Sequence, residues 1–267
     1  MASQFPQFVR QSRAMQLGIA LTVIALVLYL IGLATPLNAG VPRAPGRIVL
    51  YYVYTFFNVG LILMMWAWFS SHPKWLMPWY EPGMRIEIFS SSRVVRIGLI
   101  AAATIVFAFV KIPVLGWSIR TVAPVFGGLY FGLLEGVLGG WIGYIISTLV
   151  VGGYEAPLVT LPTWGIGDGV VVALSSVIYW AWIREQTSAK VRTWRYGVML
   201  IACFIVWYIN IIAESIGYLG AAVILPYAFQ YLIGGLIVLF TVVIIAIGAV
   251  EALRRAGPKG AASAKPS

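Results

Sequence analysis

The stretch Val125–Tyr144 reads VFGGLYFGLLEGVLGGWIGY, and its glycines decide how the chain is built. Gly128, Gly132, Gly136 and Gly140 recur every four residues, and Gly139 and Gly143 extend the pattern. In a water-exposed helix interior each glycine costs about 1 kcal/mol relative to alanine. Inside a bilayer the balance changes. Lipid tails supply little hydrophobic drive for helices to associate, and small residues four apart let two backbones approach to van der Waals distance. The spacing puts the four glycines on one helical face or its continuation across a turn. It predicts two short helices gripped closely by their neighbours.

The flanking chain supports a membrane setting. Of 267 residues, 61% are hydrophobic and only 10% are charged, against about 25% charged in a soluble domain; mean hydropathy is +0.94. Several apolar runs reach the roughly 20 residues that cross a bilayer as helix, and the alternation of a membrane barrel is absent. The net charge of +10 lies in short segments between apolar runs, so it reads as topology and not as a nucleic-acid surface. Cys203, the only cysteine, sits in an apolar run. That excludes an internal disulfide framework and a CxxC metal site.

The expected fold is therefore all-α: a polytopic membrane protein with about eight transmembrane helices. The spans are Met15–Ala34, Ile48–Phe69, Val94–Leu115, Thr121–Leu134, Gly136–Val151, Leu161–Ile183, Tyr196–Tyr218 and Pro226–Val250. Arg10 and Arg13 precede the first, as in a signal peptide, but its apolar core exceeds the usual 7–15 residues and it reads as a helix. The fourth and fifth share one apolar run, Thr121 to Gly153, expected as a tight hairpin turning near Glu135–Gly136.

Charge supports this count. With the N-terminus inside, fourteen Lys and Arg fall in inner segments, and only Arg43, Arg47, Lys111 and Arg120 remain outside; that asymmetry is the positive-inside bias. Merging the hairpin into one span would move Arg184 through Arg195 outside. The expected organisation is a two-helix hairpin over 1–70, an interfacial linker over 71–92 with three prolines among aromatics, a six-helix substrate-binding domain over 93–250, and a disordered cytoplasmic tail over 251–267.

Ionisable groups inside spans cost about 2.5–3.5 kcal/mol on insertion scales and mark candidate sites. Glu135 falls at the inner hairpin turn, within reach of water, and reads as an interfacial cap or topology residue. Asp168 and Glu214 fall in the outward half of their spans. Trp117, Arg120, Glu155, Trp164, Asn210, Tyr227 and Gln230 share that level, as do Tyr154, Thr163 and Tyr218. Polar and aromatic groups above an apolar wall are what a small-molecule pocket requires. Two plainer readings stand beside it: Trp and Tyr form interfacial belts in any membrane protein, and the two acids also serve as hydrogen-bonding glue.

Enzyme chemistry finds no footing. The only histidine, His72, lies in the inner linker, HExxH is absent, and no two acids are adjacent to hold a magnesium diphosphate. GIGDG, Gly165–Gly169, shares its GxGD with intramembrane aspartyl proteases, but their second YD element is missing.

The stretch Ala101–Gly153, AAATIVFAFVKIPVLGWSIRTVAPVFGGLYFGLLEGVLGGWIGYIISTLVVGG, resembles the substrate-binding S components of energy-coupling factor (ECF) transporters. Ile112–Pro113, Ala123–Pro124, Phe131–Gly132, Gly136 and Gly140 occupy the places of that family's outer IP element, Pro-led helix, FG turn and glycine-rich helix. GIGDG resembles its fourth helix, and six helices from Val94 to Val250 match its count. Two features depart from it. The family usually lacks two extra N-terminal helices, and its first-helix Ala-x-x-x-Ala is replaced here by Gly98 with Ala102 and Thr104 with Ala108.

The resemblance implies a membrane subunit that captures a vitamin or other small micronutrient from outside. It would present that nutrient to a transmembrane coupling subunit and two cytosolic ATPases, with no cofactor or nucleotide site of its own. It also implies a prokaryotic inner-membrane location with both termini cytoplasmic. Aromatics with both charge signs suit a flat heteroaromatic compound. Two other classes stay open: a non-catalytic assembly subunit of a membrane complex, and an ion-coupled carrier using Asp168 and Glu214.

Overall fold

The computed structural model describes residues 13–34, 45–70, 90–112, 118–151, 157–219 and 224–256. Most of the 71–92 linker lies outside the described residues, as do Trp117, Tyr154 and Glu155. Among the described residues eight α-helices follow one another: α1 Arg13–Ala34, α2 Pro45–Ser70, α3 Ser91–Ala108, α4 Val122–Tyr130, α5 Leu133–Val151, α6 Pro157–Ile178, α7 Ala189–Leu219 and α8 Ile224–Ala256. Six contain stretches long and apolar enough to cross a membrane: α1, α2, α3, α5, α7 and α8. A shorter apolar stretch, Gly167–Ile183, runs from α6 through a π-helical turn at Tyr179–Ile183. The outward faces carry Leu, Ile, Val and Phe, including Leu99 and Val106 of α3 and Ile201 and Ile205 of α7. An apolar exterior of that extent is what a bilayer covers, and the chain is a multi-pass membrane protein.

α4 is the short element around which the later helices gather. Seven of its nine residues are buried, and it packs against α3, α5, α6 and α8. At 1.5 Å per residue it is only about 14 Å long, half a bilayer core. The hairpin to α5 turns at Gly132, whose φ of 137° is a conformation that L side chains rarely adopt. The turn thus falls before Glu135–Gly136, where it was expected, and Glu135 enters the first turn of α5.

Glycines then separate into two contact faces where the sequence suggested one continuous surface. On α5, a Cβ at Gly136 would lie 2.5 Å from the Gly128 nitrogen and 2.7 Å from the Pro124 carbonyl, and one at Gly140 would strike the Pro124 ring. Those two seat α4. Gly139 and Gly143 point elsewhere, onto Ile97, Ile100, Ala101 and Thr104 of α3. Gly128 itself faces α6, where Ser176 and Val172 close in and the Trp180 indole donates to the Gly128 carbonyl at 3.1 Å. Two helices, α3 and α6, meet α5 and α4 closely for want of side chains at these glycines.

Glu135 is not at a wet turn. It is buried, and Arg93 Nε at the start of α3 donates to its carboxylate at 3.0 Å, with Arg96 at 3.8 Å. Ser90 caps α3, its hydroxyl accepting from the Arg93 amide. Isolated charges inside a protein cost several kcal/mol each, and pairing offsets that cost. The pair also sets the two helix starts level with one another.

At its far end α8 stays helical through Ala256, so the tail expected from residue 251 begins inside an ordered helix. Glu251 accepts there from the Tyr196 hydroxyl at 2.8 Å and pairs with Arg192 at 3.1 Å. The N-terminal hairpin is joined to the rest through α2, which packs on α6 and α7. Gly18 and Gly60 close the crossing between α1 and α2.

Gly136→Ala should therefore lower the unfolding temperature of the detergent-solubilised protein by roughly 2–12 °C, because backbone and not a movable side chain opposes the new methyl. Gly98→Ala, where a Cβ meets nothing within 4 Å, should leave it unchanged. Equal melting of both variants would show that α4 does not sit against α5 as described.

Candidate functional site

Arg120, Asp168 and Asn210, three of the polar residues singled out from the sequence, line one cavity of about 260 Å³. It lies where α4 begins. Ser118, Arg120 and Thr121 arrive in a non-helical segment, tied at Lys111–Ser118 by a single bridge and by the Ile119 amide to the Val110 carbonyl at 3.0 Å. Irregular backbone at bilayer depth survives only where it is buried in protein or lines a cavity. Here it does both, because α4 is too short to reach the far end of α5.

Arg120 is buried. Its guanidinium lies over the Tyr144 ring, 3.5 Å from the centroid, and hydrogen-bonds the Tyr144 hydroxyl. It reaches Thr148 Oγ1 at 3.5 Å. Tyr144 and Thr148 stand one turn apart on α5, and Thr148 returns its own proton to the Tyr144 carbonyl at 2.9 Å. Measured along α5, this cluster is about 14–20 Å from Glu135. The Arg93–Glu135 pair and the cavity thus occupy opposite halves of the same helix.

Asp168 enters from α6, half-buried. Thr121, at the N-cap position of α4, makes no side-chain cap bond; its hydroxyl donates to Asp168 Oδ2 at 3.0 Å instead. The Trp207 side chain also hydrogen-bonds the carboxylate, which feels the Arg120 charge as well. Trp207, Asn210 and Ile211 form one face of α7. Tyr231, Val238, Leu239 and Val242 form one face of α8, at the i, i+7, i+8, i+11 spacing of a helix. Gly235 sits mid-face: its missing Cβ would lie 1.9 Å from Trp207 Cζ3, so the absent side chain is what admits the indole.

Asn210 is fixed on both sides. Tyr54 of α2 donates to its Oδ1 at 2.9 Å, and its Nδ2 donates to the Val206 carbonyl at 3.0 Å. Tyr29 of α1 stacks at a tilt on Tyr54, 5.3 Å between centroids, and donates to the Ala213 carbonyl at 2.5 Å. The N-terminal hairpin therefore braces the wall of the cavity.

Other expected members fare differently. Gln230 is exposed, one residue off the inward face of α8, and does not line the cavity. Trp164, Glu214 and Tyr227 are on α6, α7 and α8, but their side chains lie outside the described residues; Trp117 and Glu155 lie outside them altogether. Sequence reasoning missed Thr121, Tyr144, Trp207 and Tyr231. The available signal was the pairing of Trp207 with Asn210 one turn on, and of Tyr231 with Gly235, each sharing a helix face.

Gly235→Ala should cost stability by overpacking against Trp207, about 1–3 kcal/mol. Shortening the ring in the same chain, Trp207→Leu, should relieve part of that loss, with a coupling of roughly 0.5–3 kcal/mol in a double-mutant cycle. Strictly additive penalties would place the indole elsewhere. No family model, curated protein or solved structure matches the chain, so the residues around this cavity carry the functional reading by themselves.

Proposed function

We propose that the chain is a membrane substrate-capture subunit for uptake of a vitamin or other small micronutrient, powered by a separate ATPase module. One observation carries the reading: a cavity of about 260 Å³ in which Arg120, Asp168 and Asn210 converge from three elements above an apolar floor. A pocket combining a few placed polar groups with apolar walls is the common form of a small-molecule site. The S-component likeness of Ala101–Gly153 adds direction to it. In this reading the chain crosses a prokaryotic inner membrane eight times, with both termini cytoplasmic and the cavity in the outer half.

Energy would come from a transmembrane coupling subunit and two cytosolic ATPases. α3 offers such a partner a face: Gly98 has open space beside it and Ala102 is exposed one turn on. The alternative pair, Thr104 and Ala108, is buried inside the bundle, with Thr104 against Gly143.

Mass spectrometry of small molecules released by denaturing the gently purified protein tests the reading. A single compound near one-to-one stoichiometry is expected from the wild type, with occupancy at least tenfold lower after Asp168→Ala and unchanged after Gly98→Ala. Lipid alone from cells grown in rich medium would favour the assembly subunit.

A further inference from the structure

We propose that the end of the bundle where α6 turns into α7 holds an anionic phospholipid, its headgroup at Lys190 and Arg195 and one chain along the outer face of α7. This surface lies apart from the cavity, and the proposal does not depend on the capture reading. Six cations gather here, four from Arg184 to Arg195 and two at Arg254–Arg255, against Glu185 and Glu251. They differ in what they already hold. Arg192 and Arg254 meet Glu251 at 3.1 and 3.7 Å, and Arg192 also donates to the Gln186 carbonyl at 3.2 Å, which ties the turn. Lys190 and Arg195 reach no carboxylate among the described residues.

Arg195 is placed by an indole instead. Its guanidinium lies over the Trp182 ring, 4.8 Å from the centroid, and donates to the Trp182 carbonyl. Trp182 meets Trp194 edge to face, 6.2 Å between centroids. One carbonyl occupies one of the N–H donors of the guanidinium fork, and the ring contact occupies none. Donors therefore remain for a phosphate, whose oxygens suit that fork. Both indoles are exposed, Trp194 at 64%, and exposed indoles settle at headgroup level.

The face of α7 continues the pattern. Lys190, Trp194, Ile201 and Ile205 fall on one stripe of the helix, and all four are exposed. From Trp194 to Ile205 the helix rises about 16 Å, the depth of one leaflet in a core about 30 Å thick. Cation, indole and aliphatic run follow one another as phosphate, glycerol and chain do in a phospholipid. Topology requires only that cations collect on one side of a membrane; it does not require them to stand on an indole pair at the head of such a stripe. A soluble anion would leave the stripe unused. A zwitterionic lipid would bring its own cation toward Lys190 and Arg195. A lipid with a net negative headgroup answers both and uses the stripe.

The test uses the full-length protein in detergent, with native mass spectrometry of lipids retained from an equimolar mixture of phosphatidylglycerol and phosphatidylcholine with matched chains. The wild type should prefer phosphatidylglycerol roughly 30-fold, the effect of two cations near a headgroup. Lys190→Gln with Arg195→Gln should bring that preference below about threefold. Lys190→Gln alone, at an exposed position, should leave roughly sixfold and decides the matter if the double variant does not fold. Lys111→Gln, beyond the opposite end of α3, should keep the full preference. Equal retention of the two lipids by the wild type overturns the proposal, as does an undiminished preference in Lys190→Gln. Displacement of the lipid by millimolar inorganic phosphate, but not by chloride of equal ionic strength, would reveal a soluble-anion site and also overturns it.

Discussion

The backbone contact of α4 with α5 governs the rest of the structure. A hydrogen in place of a side chain at Gly136 lets the two helices touch at the level of the Gly128 amide nitrogen and the Pro124 carbonyl. Dispersion and close packing, not a hydrophobic drive, hold helices together in lipid, so contact of this quality is what keeps a nine-residue helix in place. A helix that short cannot span alone, and its upper end must stop inside the bundle. The segment before it then lines a cavity, because unpaired backbone has nowhere else to go in a bilayer.

Two charged clusters on α5 show how the same helix serves structure and chemistry. Near its start, Glu135 is closed off by Arg93 and Arg96, a bond between residues of opposite sign that needs no ligand. Further along, Tyr144 and Thr148 hold Arg120 through a ring face and a hydroxyl. These partners orient the guanidinium. Both are buried arginines that reach α5 from the chain before it.

Much of this was legible in the sequence, and the limits have physical causes. Helix number and order follow from apolar runs broken by Gly, Pro and charge. The tight hairpin follows from glycines four apart. Arg120, Asp168 and Asn210 declare themselves because polar groups in apolar runs need a reason to be there. What the pattern lacks is rotation about each helix axis. Gln230 and Tyr231 are adjacent, yet a step of about 100° turns one outward and the other into the cavity. Thr121 read as the start of a helix, where a hydroxyl ordinarily caps its own backbone; its bond to Asp168 is a tertiary choice. Glu135 was placed near water because depth was inferred from the hairpin turn, and the turn falls at Gly132 instead.

The N-terminal hairpin takes part in the cavity wall through its contacts with α7. Tyr54 holds the Asn210 carboxamide from outside while the Val206 carbonyl holds it from within. An amide bonded on both edges presents one orientation to the cavity, and pre-organised polar groups bind without the cost of ordering them. Tyr29 adds a second tie, to the Ala213 carbonyl one turn further along α7. Two tyrosines on two helices thus fix the segment of α7 that carries Trp207, Asn210 and Ile211. In a bundle without those helices, that face of α7 would meet lipid, which offers no hydrogen bond to an asparagine. The hairpin is better described as an outer layer of the cavity wall than as an appended anchor.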